Sequence, residues 1–253
     1  MNVRNIAFDL ETVPLATDEL ERLLPPFDES SVKTGAMGSE KAQEKIDKLR
    51  REHFQRFYSK AALDARTAEI KMIGVRDQDG SARIIEGGEP DIIRQFFNLF
   101  DSDSLKHFFG FCVAQFDIPM LVRRGWLHRI PIPYGLTRGR YLSGLITDLA
   151  EVWTLTERGQ ERFPVSLDDL ARYFGVGQKR ANGAQFHEIL RYKPDEARTY
   201  LLNDLELTWK IAEAMGAIRG PVPEPAPLAD AAYIAEKRNG ILVNAEQSEI
   251  LFY

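Results

Sequence analysis

Cysteine is nearly absent: Cys112 is the single thiol among 253 residues. One thiol excludes an intrachain disulfide and a cysteine-rich zinc site, and it fits a reducing compartment. Long apolar runs are missing too. No stretch approaches the roughly 20 apolar residues that span a bilayer, and Asp9 and Glu11 interrupt the N-terminus where a signal peptide would need an unbroken apolar segment. The expectation is a cytoplasmic protein with no membrane partner. Nor is there an excess of positive charge. The 33 basic and 38 acidic residues leave a formal net charge of −5, which argues against a broad, sequence-blind grip on duplex DNA but not against a strand end held locally. Basic groups cluster at Lys48, Arg50, Arg51 and Arg56, at Arg123, Arg124, His128 and Arg129, at Arg138 and Arg140, and at Lys179 and Arg180. Each reads as a solvated face, with a phosphate contact the other use open to Lys179 and Arg180.

What is present is an apolar fraction of 44%, ample for one core near the upper size of a single domain. Residues 2 to 9 read as a strand. Further strands are expected at Glu69 to Val75 and Ala82 to Glu86, joined by the turn Asp77-Gln78-Asp79-Gly80, and a short aromatic strand at Lys106 to Val113. Helical spacing marks Asp91 to Phe100, then Ile118 to Trp126 with Asp117 as N-cap and Pro119 in the first turn. Ser166 and Asp169 suggest a capping box opening a helix at Leu167 to Phe174, closed by Gly175. The last long helix is expected over Asp195 to Met215, with Leu201, Leu205, Thr208, Ala212 and Met215 as its buried stripe. The fold class that follows is α/β, a mixed β-sheet flanked by helices. One domain is expected over 1–217 with a helical insertion at about 28–62, whose segment Ser39 to Lys60 reads as a charged surface helix. A Pro-rich linker at 218–227 and a C-terminal tail at 228–253 follow.

The chemistry-bearing residues are carboxylates at the ends of regular elements. In Phe8-Asp9-Leu10-Glu11-Thr12, strand alternation places Asp9 and Glu11 on one face. Two like charges about 4 Å apart repel by roughly 4 kcal/mol at an effective dielectric of 20, so the pair needs a reason to stay ionised, and a divalent cation is the simplest. Asp117 lies in Gln115-Phe116-Asp117-Ile118-Pro119. Tyr200 and Asp204 are four residues apart, hence one turn apart on one helix face. Taken singly, these residues read as a solvated strand end, a plain N-cap and a helix charge. Their joint occurrence, in order and on separate elements, supports a shared metal site.

This set resembles the DEDD superfamily of 3′–5′ exonucleases, in the tyrosine-bearing branch that includes the proofreading domains of family B DNA polymerases. The histidine branch would need His where Thr199 stands. Further matches are Ala62-Leu63-Asp64, Thr147-Asp148-Leu149, Ser166-Leu167-Asp168-Asp169-Leu170-Ala171 and Gly177-Gln178-Lys179. The resemblance implies a ribonuclease H-like form of that α/β mixed β-sheet flanked by helices, and two ions, Mg²⁺ or Mn²⁺. Asp9 would bridge them, Glu11 and Asp204 would complete the first, Asp117 would support the second, and Tyr200 would orient the attacking water. It also implies contacts of Leu10, Thr12 and Phe116 with a terminal nucleotide. The expected partner is a single-stranded nucleic-acid 3′ end, and the expected activity is hydrolysis of single-stranded DNA to nucleoside monophosphates. A ribonuclease of the same fold and a non-catalytic end-binding module are the alternatives. One position departs from the pattern: proofreading relatives usually carry Asn five residues before the second aspartate, where this chain has Cys112, read here as a small buried hydrophobe in a strand.

Overall fold

The computed structural model describes residues 3–100, 105–137, 145–155, 165–179 and 186–218. The basic pair Arg138 and Arg140, Arg180, the tail at 228–253 and all but Ile218 of the expected linker lie outside them. Every element described belongs to the compact unit Arg4–Arg219.

Five strands form one mixed sheet: β1 (Arg4–Pro14), β2 (Ala68–Asp77), β3 (Ala82–Glu86), β4 (Lys106–Gly110) and β5 (Ile146–Asp148), in the order β3-β2-β1-β4-β5. β1 is central, antiparallel to β2 and parallel to β4, and β4 is parallel to β5. A strand paired on both edges and covered on both faces needs apolar residues on both faces, which explains the unbroken Ile6-Ala7-Phe8. β1 is longer than the expected 2 to 9, because β2 offers it ladder partners out to Pro14. Asp9 and Glu11 therefore sit within a paired strand and not at its end. Just beyond them, Glu11 and Thr12 face three residues of β2, Ile70 to Met72, and this bulge resets the register.

Helices cover both faces. α3 (Glu89–Phe97) and α4 (Asp117–Leu127) pack with Phe8 and Leu10 in the largest core cluster. On the opposite face lie α6 (Leu167–Tyr173), α7 (Phe186–Tyr192) and α8 (Pro194–Ala214), after the short α5 (Leu149–Trp153). The expected stripe of α8 is buried at Leu201, Leu205, Thr208 and Ala212, with Met215 half-buried. α8 reaches the sheet at Gly74, where an added Cβ would come within 2.6 Å of Leu205 Cδ1 and 2.9 Å of Leu201 Cγ. The expected capping box of α6 is present: Ser166 Oγ accepts from the Asp169 N–H, and Asp169 accepts from the Ser166 N–H at 3.0 Å. α1 (Thr17–Leu23) precedes the insertion, which holds α2 (Ser39–Lys60), and α2 buries none of its residues.

Two local expectations are corrected. The strand read at Lys106 to Val113 ends at Gly110, because the Asp148 carboxylate accepts the Cys112 and Ala114 N–H groups at 2.9 Å each and draws the chain out of the ladder. Cys112 consequently lies in a turn at φ 60, half-buried, and not in a strand. Asp117 is the first residue of α4, after a Phe116 N-cap that makes no side-chain cap bond, so its carboxylate is free of capping duty.

Candidate active site

β1 carries Asp9 and Glu11 on the face opposite Phe8 and Leu10, towards α8. There Tyr200 and Asp204, one turn apart, meet them. One carboxylate oxygen from each of Asp9, Glu11 and Asp204 lies within 4.8 Å of the other two. Asp9 and Glu11 keep partial solvent contact, while Asp117 and Asp204 are buried. Asp117 approaches from the start of α4. It is not within the three-oxygen group, but its charge is felt by both Asp9 and Glu11, and the Leu10 N–H lends support to both Asp9 and Asp117.

The electrostatics are those of crowded carboxylates without enough countercharge. Asp9 is pushed up to about 7, by burial first and then by Asp204. Burial and neighbouring carboxylates hold Glu11 and Asp117 well above the usual carboxylate range. Burial also raises Asp204, opposed by Lys179, Tyr200 and Asn203. Burial, then the Asp204 and Glu11 charges, keep the Tyr200 phenol far above its ordinary value, and its hydroxyl donates to Asp204. Burial pushes the Cys112 thiol up to about 11, which keeps it a thiol at neutral pH.

Lys179 supplies the countercharge. Its Nζ lies 2.6 Å from Asp204 Oδ2 and 5.2 Å from the centre of the Tyr200 ring, with the side chain only 24% exposed. The solvated face expected at Lys179 is thus corrected. The residue is anchored inward, its N–H donating to Asp168 Oδ1 at 2.7 Å just after Gly177, whose φ of 146 suits glycine. Asp148 is the other contributor that composition did not single out. It holds the turn before Asp117 and caps α5 through the Ala150 N–H. The quoted segments Gly177-Gln178-Lys179 and Thr147-Asp148-Leu149 were the only signal for these two.

The donor set fits a hard divalent cation. All the converging atoms are oxygens, as Mg²⁺ and Mn²⁺ prefer. Asp117 Oδ1 and Asp204 Oδ1 are buried side-chain atoms without a hydrogen-bond partner, although buried polar atoms are normally satisfied. A site that can hold a metal ion accounts for both. Of the residues expected to meet a terminal nucleotide, Leu10 is buried in the core, and Phe116 is half-buried against that core. Thr12 Oγ1 donates to the Ala62 carbonyl at 2.6 Å.

Glu89, buried beneath α4, is a structural counterpart. Its carboxylate accepts from Arg124 Nε at 2.8 Å, Arg124 Nη2 at 2.5 Å and the Ile70 N–H at 2.8 Å, and it pairs with His128 Nε2 at 2.5 Å. Arg124 and His128 are therefore fold-holding residues more than a solvated basic face.

No helix among the described residues is long and apolar enough to cross a membrane. No protein-family model and no curated protein matches the sequence. Among solved structures, the chain is similar to the family B DNA polymerase from the hyperthermophilic archaeon Pyrobaculum calidifontis, with a TM-score of 0.52 and 20% identity over 84% of this chain. It spans 24% of the polymerase's length, and the likeness bears on the fold: an α/β, ribonuclease H-like mixed sheet flanked by helices.

Proposed function

We propose that the protein is a metal-dependent 3′–5′ exonuclease that hydrolyses single-stranded DNA to nucleoside monophosphates. The observation that carries the reading is the convergence of Asp9, Glu11 and Asp204 oxygens within 4.8 Å, from a strand and a helix nearly 200 positions apart, with Asp117 closing in from a third element. The likeness to a DNA polymerase makes DNA the first substrate to test.

Asp9, Glu11, Asp117 and Asp204 would hold the ions. Two bound Mg²⁺ or Mn²⁺ ions would supply a water acidified towards neutrality and charge neutralisation at the leaving 3′ oxygen. Tyr200 orients the attacking water. Its hydroxyl proton is committed to Asp204, so its oxygen is left to accept from the water, and a phenol held this far above its ordinary value does not act as a base. Lys179 is the cation shared by Asp9, Glu11 and Asp204, and it holds Asp204 through their ion pair. A duplex end must fray before its last phosphate can reach the carboxylates, which favours unpaired ends.

The test is incubation of 5′-labelled single-stranded DNA, with RNA in parallel, in Mn²⁺ or Mg²⁺. A ladder shortening from the 3′ end and abolished by Asp9→Ala and Asp204→Ala is the expected result. Tyr200→Phe should keep its metal-induced rise in Tm while kcat falls by roughly 100-fold. Digestion unchanged in the aspartate variants, or no digestion at all, would refute the proposal.

A further inference from the structure

Three cavities run together along the insertion. A groove of about 410 Å³ lies between Leu23 and Pro25 on one wall and His53, Arg56, Phe57 and Lys60 of α2 on the other. At one end it shares Pro25 and His53 with a cavity of about 630 Å³ that includes Phe27, Arg51 and Phe54. At the other end it shares Asp64 and Arg66 with one of about 700 Å³ that includes Arg123. The lining alternates cations with half-buried aromatic rings. Some of the cations are spent: Arg50 is paired with Glu29 and Asp47, and Arg66 with Asp64. Arg51, Arg56, Lys60 and Arg123 are exposed and have no carboxylate within ion-pairing distance among the described residues. In a chain of net charge −5, α2 alone carries a net +3.

The run is also tied to the strand that carries the carboxylates. Ala62, just after α2, accepts the Thr12 hydroxyl at 2.6 Å, one residue along β1 from Glu11, and Ala61 accepts the Thr67 hydroxyl at 2.8 Å. A strand whose 3′ end reached the carboxylates would thus find its upstream phosphates beside unpaired cations and its bases beside Phe27, Phe54 and Phe57. Stacking on such rings is indifferent to sequence, and phosphate contacts are indifferent to the base.

Resting on the exonuclease reading of the carboxylate site, we infer that this run along α2 is a track for the single-stranded nucleic acid upstream of the cleaved nucleotide. It makes the enzyme length-sensitive, favouring substrates long enough to lie in it.

Binding of fluorescent oligothymidine of 3 and 12 nucleotides, followed by anisotropy in EDTA over a range of salt, tests the track without cleavage. The variant is Arg51→Gln, Arg56→Gln and Lys60→Gln together, all at exposed helix positions. The control is Lys41→Gln, Lys45→Gln and Lys48→Gln, which removes equal charge from the same helix outside the run. The track variant should bind the 12-mer about tenfold more weakly, with a salt slope shallower by about 2, since each lost single-strand phosphate contact removes about 0.7. The trimer should be little changed, and in Mn²⁺ the variant should cleave it with an unchanged kcat. Equal loss in variant and control, or an unaltered 12-mer affinity and slope in the variant, would overturn the track. Length-dependent binding by a wild type that cleaves nothing would overturn the exonuclease reading and leave only a single-strand binding groove along α2.

Discussion

Replacing Asp9 with Asn should make the metal-free protein more stable while weakening its response to metal. At 4.8 Å and an effective dielectric of 20, each ionised pair among Asp9, Glu11 and Asp204 is repulsive by about 3.5 kcal/mol. Lys179 offsets only part of this, so the empty site binds protons. Asp9 moves from its ordinary 3.8 to about 7. A group raised in the folded state contributes stability that is fully present below its unfolded value and is lost as pH rises through the folded one. The window is therefore about pH 4 to 7, over which the folded protein binds more protons than the unfolded chain and stability falls with pH. Three pH units at 1.36 kcal/mol each set an upper limit of about 4 kcal/mol, and partial solvent contact reduces it to about 2–4. Asp9→Asn has no such titration. In EDTA at pH 8 its Tm should exceed that of wild type by roughly 5–10 °C, given about 2–4 °C per kcal/mol for a domain of this size, and the difference should shrink at pH 5. Millimolar Mn²⁺ should raise the wild-type Tm at pH 8 and move the variant far less. Scanning calorimetry at the two pH values, with and without Mn²⁺, reads all four quantities. A wild-type Tm in EDTA that is flat from pH 5 to 8, or an Asn variant no more stable at pH 8, would refute the reasoning.

Gly74→Ala places a Cβ 2.6 Å from Leu205 Cδ1 and 2.9 Å from Leu201 Cγ. It should cost about 1–3 kcal/mol in urea unfolding, and by shifting α8 it should also reduce the Mn²⁺-induced rise in Tm. Glu89→Gln strips the buried Arg124 of its partner and should cost about 3–5 kcal/mol at pH 7, again read by urea unfolding. In wild type, burial is the largest influence on Glu89 and acts to raise it, but the Arg124, Ile70 and His128 bonds together hold it below its ordinary 4.5. Its contribution is thus present above that value and lost as pH falls further, so the wild-type acid-unfolding limb should be steeper than that of Glu89→Gln. Lys179→Gln removes the countercharge of Asp204 and should lower the metal-free Tm at pH 8 more than at pH 5.

The parts of the fold legible in the sequence were those set by local chemistry. The Ser166 and Asp169 capping box needs only its own four residues, and the stripe of α8 follows from the 3.6-residue period. β5 has three residues and α7 has seven, too few for a period to show, and β5 is held by β4, nearly 40 positions earlier. Cys112 was misread for a tertiary reason: Asp148, 36 positions later, takes its N–H and turns the chain. Lys179 was taken for surface because nothing within its own segment shows that the chain returns it to Asp204.

The carboxylates were legible for the opposite reason. Asp9 with Glu11 and Tyr200 with Asp204 obey the two shortest side-chain periods, two in a strand and four in a helix, so each pair is specified before any long-range contact forms. What no local pattern supplies is a reason to bring the pairs together. Like charges drive them apart, burial raises every one of them, and two buried oxygens, Asp117 Oδ1 and Asp204 Oδ1, end without a donor. A core selected for stability alone would have replaced such groups with apolar ones. The chain instead keeps its most repulsive residues on its best-packed elements, the central strand and the helix pressed onto Gly74, where they cannot move apart. Rigid placement of mutually repelling oxygens is costly to the empty protein and favourable once a cation binds, which is why metal-free stability and metal response should change in opposite directions at Asp9.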